Sequence, residues 1–217
     1  MRRKTFLFLM LFILLTGMGV GLAWWTDTLT IAGTVHTAKD CMEFTHYTLS
    51  TDPYITGDVS LVDRKTLAVS VSGLYPSGTA AATKGRARLH VTMTNTGDVP
   101  EKFVSAALQF SPEASPLLNY LKSSCYLKYD EDGPGPKPTE SWGYLQYPWS
   151  RFDQLDDALN ASTTLKGLVL DPGGWISFDT EDENSIVLRL DESAPNETEN
   201  QTLDFTLQLN FVQWNAP

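Results

Sequence analysis

The chain has 217 residues, of which 16 are Lys or Arg and 26 are Asp or Glu, so its formal net charge is −10 at pH 7. Hydrophobic residues make up 42 % and aromatic residues 11 %, a composition that excludes a wholly disordered chain. A surface this acidic repels nucleic acid and anionic membranes, and we therefore expect no nucleic-acid partner.

The first 23 residues have the pattern of an export signal. Basic residues at 2–4 precede the uninterrupted apolar run FLFLMLFILL at 6–15. Gly21 and Ala23 then place small residues two positions apart, which is the spacing that a signal peptidase accepts. These features predict a signal peptide that is cleaved between Ala23 and Trp24.

The rest of the chain, residues 24–217, is long enough for a single domain with a sizeable core. The alternative to cleavage is an N-terminal membrane anchor, because residues 5–25 are long enough to span a bilayer. In both cases the domain is exported, and we expect it to be secreted or held at the cell surface.

The segment that cleavage would release, 24–35, has the pattern of an exposed strand. It is rich in β-forming residues, lacks proline and has Asp27 as its one charged residue. Such a segment suits pairing along a sheet edge, so we predict a donor strand that adds to the sheet of another copy. The alternative is an ordinary first strand of its own sheet. The residues predicted to form the donor strand are Trp24, Trp25, Thr26, Asp27, Leu29 and Ile31.

Regular alternation of apolar and polar residues dominates the remainder of the chain. It predicts half-buried strands with one wet face, which are typical of antiparallel sheets. The clearest segments are 66–72, 86–94, 185–191 and 202–211. Turn signals separate them, and eight or so short strands of this kind predict an all-β fold, an antiparallel two-sheet β-sandwich or jelly roll.

Helix is the minor element of the prediction. The segment 150–161 offers Ser150 as an N-cap and places Phe152, Leu155 and Leu159 on one face. A shorter helical turn is predicted at 116–122. The Pro- and Gly-rich stretch between the two cannot form regular structure, so we predict an irregular insertion over about 111–165 that contains one or two short helices.

Residues that could support catalysis or metal binding are few. His36, His46 and His90 are the only histidines, and no HExxH motif is present. A metal site across strands at His36 and His46 is less favoured than ordinary polar positions, and the acidic cluster at 179–183 lacks the pattern of an EF-hand loop. We predict no catalytic site, no metal and no cofactor.

Cys41 and Cys125 are the only cysteines, and both lie in the exported part. An even count in an oxidising compartment permits a disulfide. A bridge that closes a loop of about 85 residues would contribute at most about 4.5 kcal/mol in the loop-entropy model. The alternative is two separate buried thiols.

Three parts of the chain together resemble the TasA/CalY (camelysin) family of exported proteins of Gram-positive bacteria, which a SipW-type signal peptidase processes. The first is the signal peptide that runs into Trp25-Thr26-Asp27 and a Thr/Gly-rich strand. The second is LYPSGTAAATKGRARLHVTMTNTGDVPEKFVSAALQF at 74–110, and the third is the closing LQLNFVQWN at 207–215. The segment 120–182 does not resemble the family pattern.

The resemblance implies a jelly-roll domain that assembles into extracellular fibres of a biofilm matrix. Its partners would be further copies of itself, related matrix subunits and, during export, a signal peptidase. Camelysin has also been described as a metalloprotease, but this sequence has no recognisable zinc motif for that activity. The two cysteines and the Pro-rich loop depart from the family pattern.

Three functions follow from the sequence, in order of preference. The first is a secreted, self-assembling structural protein of the matrix or cell surface. The second is a cell-surface adhesion or binding module with an immunoglobulin-like sandwich, because the strand, Asn-x-Gly, strand pattern at 95–97 also occurs in such domains. The third is a camelysin-like secreted metalloprotease.

Overall fold

The computed structural model describes Met10 and residues 41–76, 85–132, 142–178, 185–199 and 201–215. The chain divides into two units, 1–37 and 38–217, and the second unit contains every strand reported below. The predicted signal peptide apart from Met10, its cleavage site, the donor strand and His36 all lie outside the described residues, as does the whole acidic cluster at 179–183.

Eleven strands in the described residues form two antiparallel sheets. They are β1 (Met42–Thr51), β2 (Thr56–Asp63), β3 (Thr66–Ser72), β4 (Arg86–Asn95), β5 (Glu101–Phe110), β6 (Leu121–Asp130), β7 (Trp142–Arg151), β8 (Val169–Leu170), β9 (Trp175–Phe178), β10 (Ile186–Leu190) and β11 (Thr202–Gln213). Sheet A has the order β1-β4-β10-β6-β7, and β9 also lies between β4 and β6. Sheet B has the order β2-β3-β11-β5-β8. The predicted all-β antiparallel sandwich is therefore confirmed.

Short helices connect the strands. The α-helices of the described residues are α1 (Ser115–Leu118), α2 (Leu155–Ala161) and α3 (Thr163–Gly167), and 3-10 turns lie at Pro112–Ala114, Phe152–Gln154 and Asn196–Thr198. None of these helices is long and apolar enough to span a membrane.

The core lies between the two sheets and follows the predicted faces. In β11, the central strand of sheet B, every second residue from Leu203 to Phe211 is buried. The ring of Phe152 lies 4.9 Å from that of Phe205 and 5.5 Å from that of Phe110, in edge-to-face geometry. The segment after β7 is thereby packed against sheet B.

The helical prediction at 150–161 is correct in its second half only. Ser150 is a strand residue rather than an N-cap, because β7 continues to Arg151 and the α-helix begins at Leu155. The helix starts without a side-chain cap. Phe152, Leu155 and Leu159 are all buried, as the apolar spacing predicted.

The predicted irregular insertion at about 111–165 is wrong for much of its length, since β6 and β7 lie in it as two ten-residue strands of sheet A. In β6 the core positions include Ser123 and Cys125, which interrupt the apolar alternation although both are buried. The predicted helical turn at 116–122 is also too long, because α1 ends at Leu118 and Lys122 is a strand residue.

We expect Leu207→Asp to prevent soluble expression, because Leu207 is buried in β11 and an unpaired carboxylate there costs several kcal/mol. Phe211→Asp should have the same effect. Gln208→Lys is the matched control, since Gln208 lies on the opposite, partly exposed face of the strand. Soluble yield and thermal unfolding of the three variants test this, and equal tolerance at all three positions would contradict the assignment of the faces.

Candidate assembly edges and binding face

The described histidines lie on the outer face of sheet A. His46 is opposite Thr92, and His90 is opposite Thr48 with its Nε2 atom 3.1 Å from Ser50 Oγ. Among the described residues no group of three or more His, Cys, Asp or Glu is placed to hold a metal ion.

The two cysteines are free and buried in separate surroundings. Cys41 Sγ accepts hydrogen bonds from Arg64 Nη1 at 3.2 Å and from Thr96 Oγ1 at 3.1 Å. Cys125 points from β6 into the core, where burial raises the pKa of its thiol to about 12. Cys41 directly precedes β1, which lies three positions from β6 in sheet A, so the strands are about 14 Å apart against the roughly 7 Å limit for a disulfide.

The edges of the two sheets differ in how they are covered. Sheet A ends at β1 and β7, and sheet B ends at β2 and β8. Strand β8 has only two residues and pairs with Glu101 and Lys102, so no strand of the described residues lies beside the rest of β5 on that side. Unpaired backbone groups along such an edge are a template for pairing with another chain.

Helix α2 covers this part of β5 with two polar side chains. The Asn160 amide accepts a hydrogen bond from Ala106 N at 2.7 Å and donates one to Ala106 O at 2.9 Å. Asp156 Oδ2 accepts a hydrogen bond from Leu108 N at 3.2 Å. These side chains bond the backbone of β5 as a neighbouring strand would, and they close the β5 edge to strand addition.

The β7 edge on the same side of the sandwich is also protected. Pro148 lies within β7 and has no N–H to donate, which is typical of a blocked edge. Helix α2 contacts β7 as well as β5. The hydroxyl of Tyr147 hydrogen-bonds to Ser162, the N-cap of α3, and burial raises the pKa of Tyr147.

The opposite side of the sandwich is different, because no strand of the described residues pairs with the outer edge of β1 or β2. These two strands contact each other across the sheets. A Cβ atom at Gly57 would lie 2.6 Å from Leu49 Cδ2 and 2.5 Å from Ser70 O, so only glycine fits there. Phe44 N donates a hydrogen bond to Arg64 O at 2.9 Å, which uses one backbone donor of β1.

Strand β2 is the most exposed strand of the described residues. Seven of its eight residues are exposed, and they include Leu61 at 42 % and Val62 at 60 %. It has no Lys, Arg or Pro, the residues that commonly protect sheet edges. The described chain therefore presents one covered side and one side with an accessible strand edge.

A row of four cations crosses the outer face of sheet A. Arg189 of β10 is opposite Arg86 of β4 and also opposite Lys122 of β6, and Lys122 is in turn opposite Arg151 of β7. We call these four residues the cation row. The guanidinium of Arg189 lies 4.1 Å from the centre of the Trp149 ring, and that of Arg86 lies 5.8 Å from it.

The cation row is a local exception in an acidic chain. Sheet A has six of the ten Lys and Arg residues in the described part of the chain on its outer face: Arg86, Arg88, Lys122, Lys128, Arg151 and Arg189. The outer face of sheet B instead has mainly Ser, Thr, Ala and Gln, with Asp58 and Asp204 beside a shallow groove of about 370 Å³.

Three carboxylates contact this region. Asp52 pairs with Arg88 at 2.9 Å, Asp153 pairs with Arg151, and Asp191 lies 3.9 Å from Lys122. The pKa of Asp191 is lowered, chiefly by hydrogen bonds from Ser193 and further by the nearby cations. The sequence alone does not show the cation row, because its members come from four separate strands and meet only through the sheet register.

Scans of protein-family models, of curated proteins and of solved structures found no match to this chain. The resemblance to the TasA/CalY family thus stays a prediction, and the candidate sites are the sheet edges and the cation row.

We expect Asn160→Ala to lower the free energy of unfolding by about 2 kcal/mol, because it removes two hydrogen bonds and leaves the Ala106 N–H without its partner. The exposed β5 edge should also increase aggregation. Asn119→Ala is the matched control, since Asn119 is exposed. Urea unfolding and light scattering measure both effects, and equal stability of the two variants would show that Asn160 does not close this edge.

The buried thiol of Cys125 predicts a loss of stability at high pH. Its pKa rises from 9.0 to about 12 on folding, so between these values the unfolded thiol ionises while the folded thiol stays protonated. The free energy of unfolding should therefore fall with rising pH, by about 1.4 kcal/mol per pH unit from this group. Urea unfolding from pH 8 to pH 11 should show a shallower fall for Cys125→Ala than for the unmodified chain, and parallel curves would contradict the assignment.

Proposed function

We propose that this chain is a secreted structural protein that self-assembles by strand addition. Residues 24–35 of one copy pair with an exposed sheet edge of the next, which builds a polymer in the extracellular matrix or at the cell surface. The observation that supports this proposal is the asymmetry of the sandwich, since Asn160 and Asp156 cover the β5 edge while β2 is accessible.

Strand β2 is the acceptor in this proposal. Leu61 and Val62 offer exposed apolar side chains on a strand whose outer edge no strand of the described residues pairs with, and β2 lacks protective cations and proline. Strand β1 is a poorer acceptor, because its Phe44 N is already bonded and Leu49 packs closely on β2. The donor segment has no cation and one carboxylate, so its pairing depends on backbone hydrogen bonds and apolar contact.

Signal-peptide cleavage sets the timing in this proposal. While residues 1–23 hold the donor segment at the membrane, it cannot reach another copy, and cleavage after Ala23 releases it. The sequence resemblance to matrix fibre proteins agrees with this order of events. No observation in the described residues favours a protease, and the one that favours a binding module is the cation row.

Deletion of residues 24–32 should give a soluble monomer that does not assemble, and a peptide of the deleted sequence should stop growth of the full-length polymer. Electron microscopy and sedimentation over a range of protein concentrations measure both. Fibres of normal length from the truncated chain would contradict the proposal, as would a full-length chain that stays monomeric at every pH and concentration.

The acceptor strand can be tested separately with Val62→Lys, which places a cation on the exposed edge and should prevent assembly while the monomer keeps its stability. Val212→Lys is the matched control, because Val212 is 41 % exposed but lies on β11, a central strand of sheet B. Unchanged assembly of the Val62 variant would show that β2 is not the acceptor.

A further inference from the structure

We propose that the outer face of sheet A binds a carboxylated polysaccharide through the cation row. The inference goes beyond self-assembly and does not depend on it. Its basis is the placement of Arg189, Lys122 and Arg151 as direct cross-strand neighbours beneath and beside Trp149.

The stability of the fold does not account for the placement of these cations side by side. Like charges directly opposite one another destabilise a sheet, and this sheet has them at three successive strand pairs. The acidic residues nearby offset part of the repulsion, since Asp153 pairs with Arg151 and Asp191 lies near Lys122. The cations nevertheless stay concentrated on one face of a chain whose net charge is −10.

Arg189 is the central member of the row. Its guanidinium stacks on the Trp149 ring at 4.1 Å, and its buried Nε atom makes no hydrogen bond with the described residues. Stacking of this kind fixes the plane of the guanidinium. A guanidinium held in place forms paired hydrogen bonds to a carboxylate at a smaller entropic cost than a mobile one.

The spacing of the row favours a polymer with well-separated charges. Arg86 is buried at 7 % exposure, so the members that a ligand can reach are Arg189, Lys122 and Arg151. Adjacent strands are about 4.8 Å apart, so these three cations cover about 10 Å in a line across the sheet. Phosphates follow each other at about 3.4 Å along one strand of duplex DNA, and reading a duplex requires an element that enters a groove. A flat face with cations at strand spacing suits a single extended chain that has one carboxylate per sugar.

The acidic remainder of the molecule limits the ligand further. A long duplex or an anionic membrane would meet the rest of the acidic surface as well as the row, and that surface repels both. Residues 179–184, six of the seven between β9 and β10, add four carboxylates by sequence and lie outside the described residues. We therefore expect binding of moderate affinity that weakens with added salt.

The test compares two double variants with the same change in charge. Lys122→Gln with Arg151→Gln removes two members of the row, whose side chains are 31 % and 40 % exposed. Lys102→Gln with Lys166→Gln removes two exposed cations elsewhere, from β5 and α3. Both use the full-length chain at a concentration where sedimentation shows a monomer, so that failure to assemble does not affect the result.

Titration calorimetry with polygalacturonate oligomers gives the dissociation constant at low and at physiological salt. We expect the row variant to bind at least about tenfold more weakly, because it loses two charge-assisted contacts, and the control variant to bind within about twofold of the unmodified chain. Dextran of equal length, which is uncharged, should not bind. Arg151→Lys should retain part of the affinity, because the charge stays while the paired hydrogen bonds are lost.

Three results would overturn the proposal. They are no binding of polygalacturonate by the unmodified chain, equal weakening in the two double variants, and tighter binding of a single-stranded oligonucleotide or of anionic lipid vesicles than of polygalacturonate. Thermal unfolding of each variant shows whether it is folded. If the double row variant does not fold, Lys122→Gln alone replaces it and Lys102→Gln alone is its control. Lys122→Gln must then bind polygalacturonate more weakly than Lys102→Gln, and equal affinity of the two would overturn the proposal.

Discussion

The constraint on which this structure depends is that the backbone groups along the edges of a sheet need partners. A sandwich of two open sheets has four edges, and in this protein the four edges are covered to different extents. The β5 edge is closed by side chains, since Asn160 bonds both backbone groups of Ala106 and Asp156 bonds Leu108 N. The β7 edge has a proline within it.

On the other side, β1 is tied to the β2–β3 turn at Arg64, and β2 has no neighbouring strand on its outer side among the described residues. In the proposed assembly, strand addition would therefore be limited to one side of the molecule.

The sequence predicts those features of the fold that depend on residues close together in the chain, and it does not predict those that depend on residues far apart. The period-2 pattern of β11 and β3 gave the strands and their buried faces, because alternation along one strand is visible without its neighbours. Strand β6 has the same alternation, but Ser123 and Cys125 replace aliphatic residues at two buried positions and hide it. Strand β7 contains Pro148 and several aromatic residues, which are equally typical of a loop. The hydrogen bonds between Asn160 and Ala106 join residues 54 positions apart, and no local pattern indicates them.

The same limit explains why the cation row was not predicted. Arg86, Lys122, Arg151 and Arg189 are single basic residues on four strands, and each is unremarkable in its own segment. The register of sheet A brings them into one line, and the register shift between Ser123 and Cys125 places Trp149 in the bulge of β7. By contrast, the prediction that His46 occupies an ordinary polar strand position needed only the alternation of β1, and His90 follows the alternation of β4 in the same way. A sequence pattern therefore predicts which side chains of one strand are buried, but it does not predict which residues of different strands lie side by side across the sheet.

The edges and the outer faces of a sandwich are separate surfaces, so the two proposed interactions can occur on the same subunit at the same time. Strand addition at β2 uses backbone groups at the border of sheet B, while the cation row lies on the outer face of sheet A. A polymer joined through its edges would leave that face accessible in every subunit. A polysaccharide long enough to reach several subunits would then bind with an avidity that exceeds the affinity of one row, without any new contact. A monomer of moderate affinity is therefore compatible with tight binding of the polysaccharide by the polymer. The number of cation rows that one polysaccharide chain contacts, rather than the affinity of a single row, would determine how tightly it is bound.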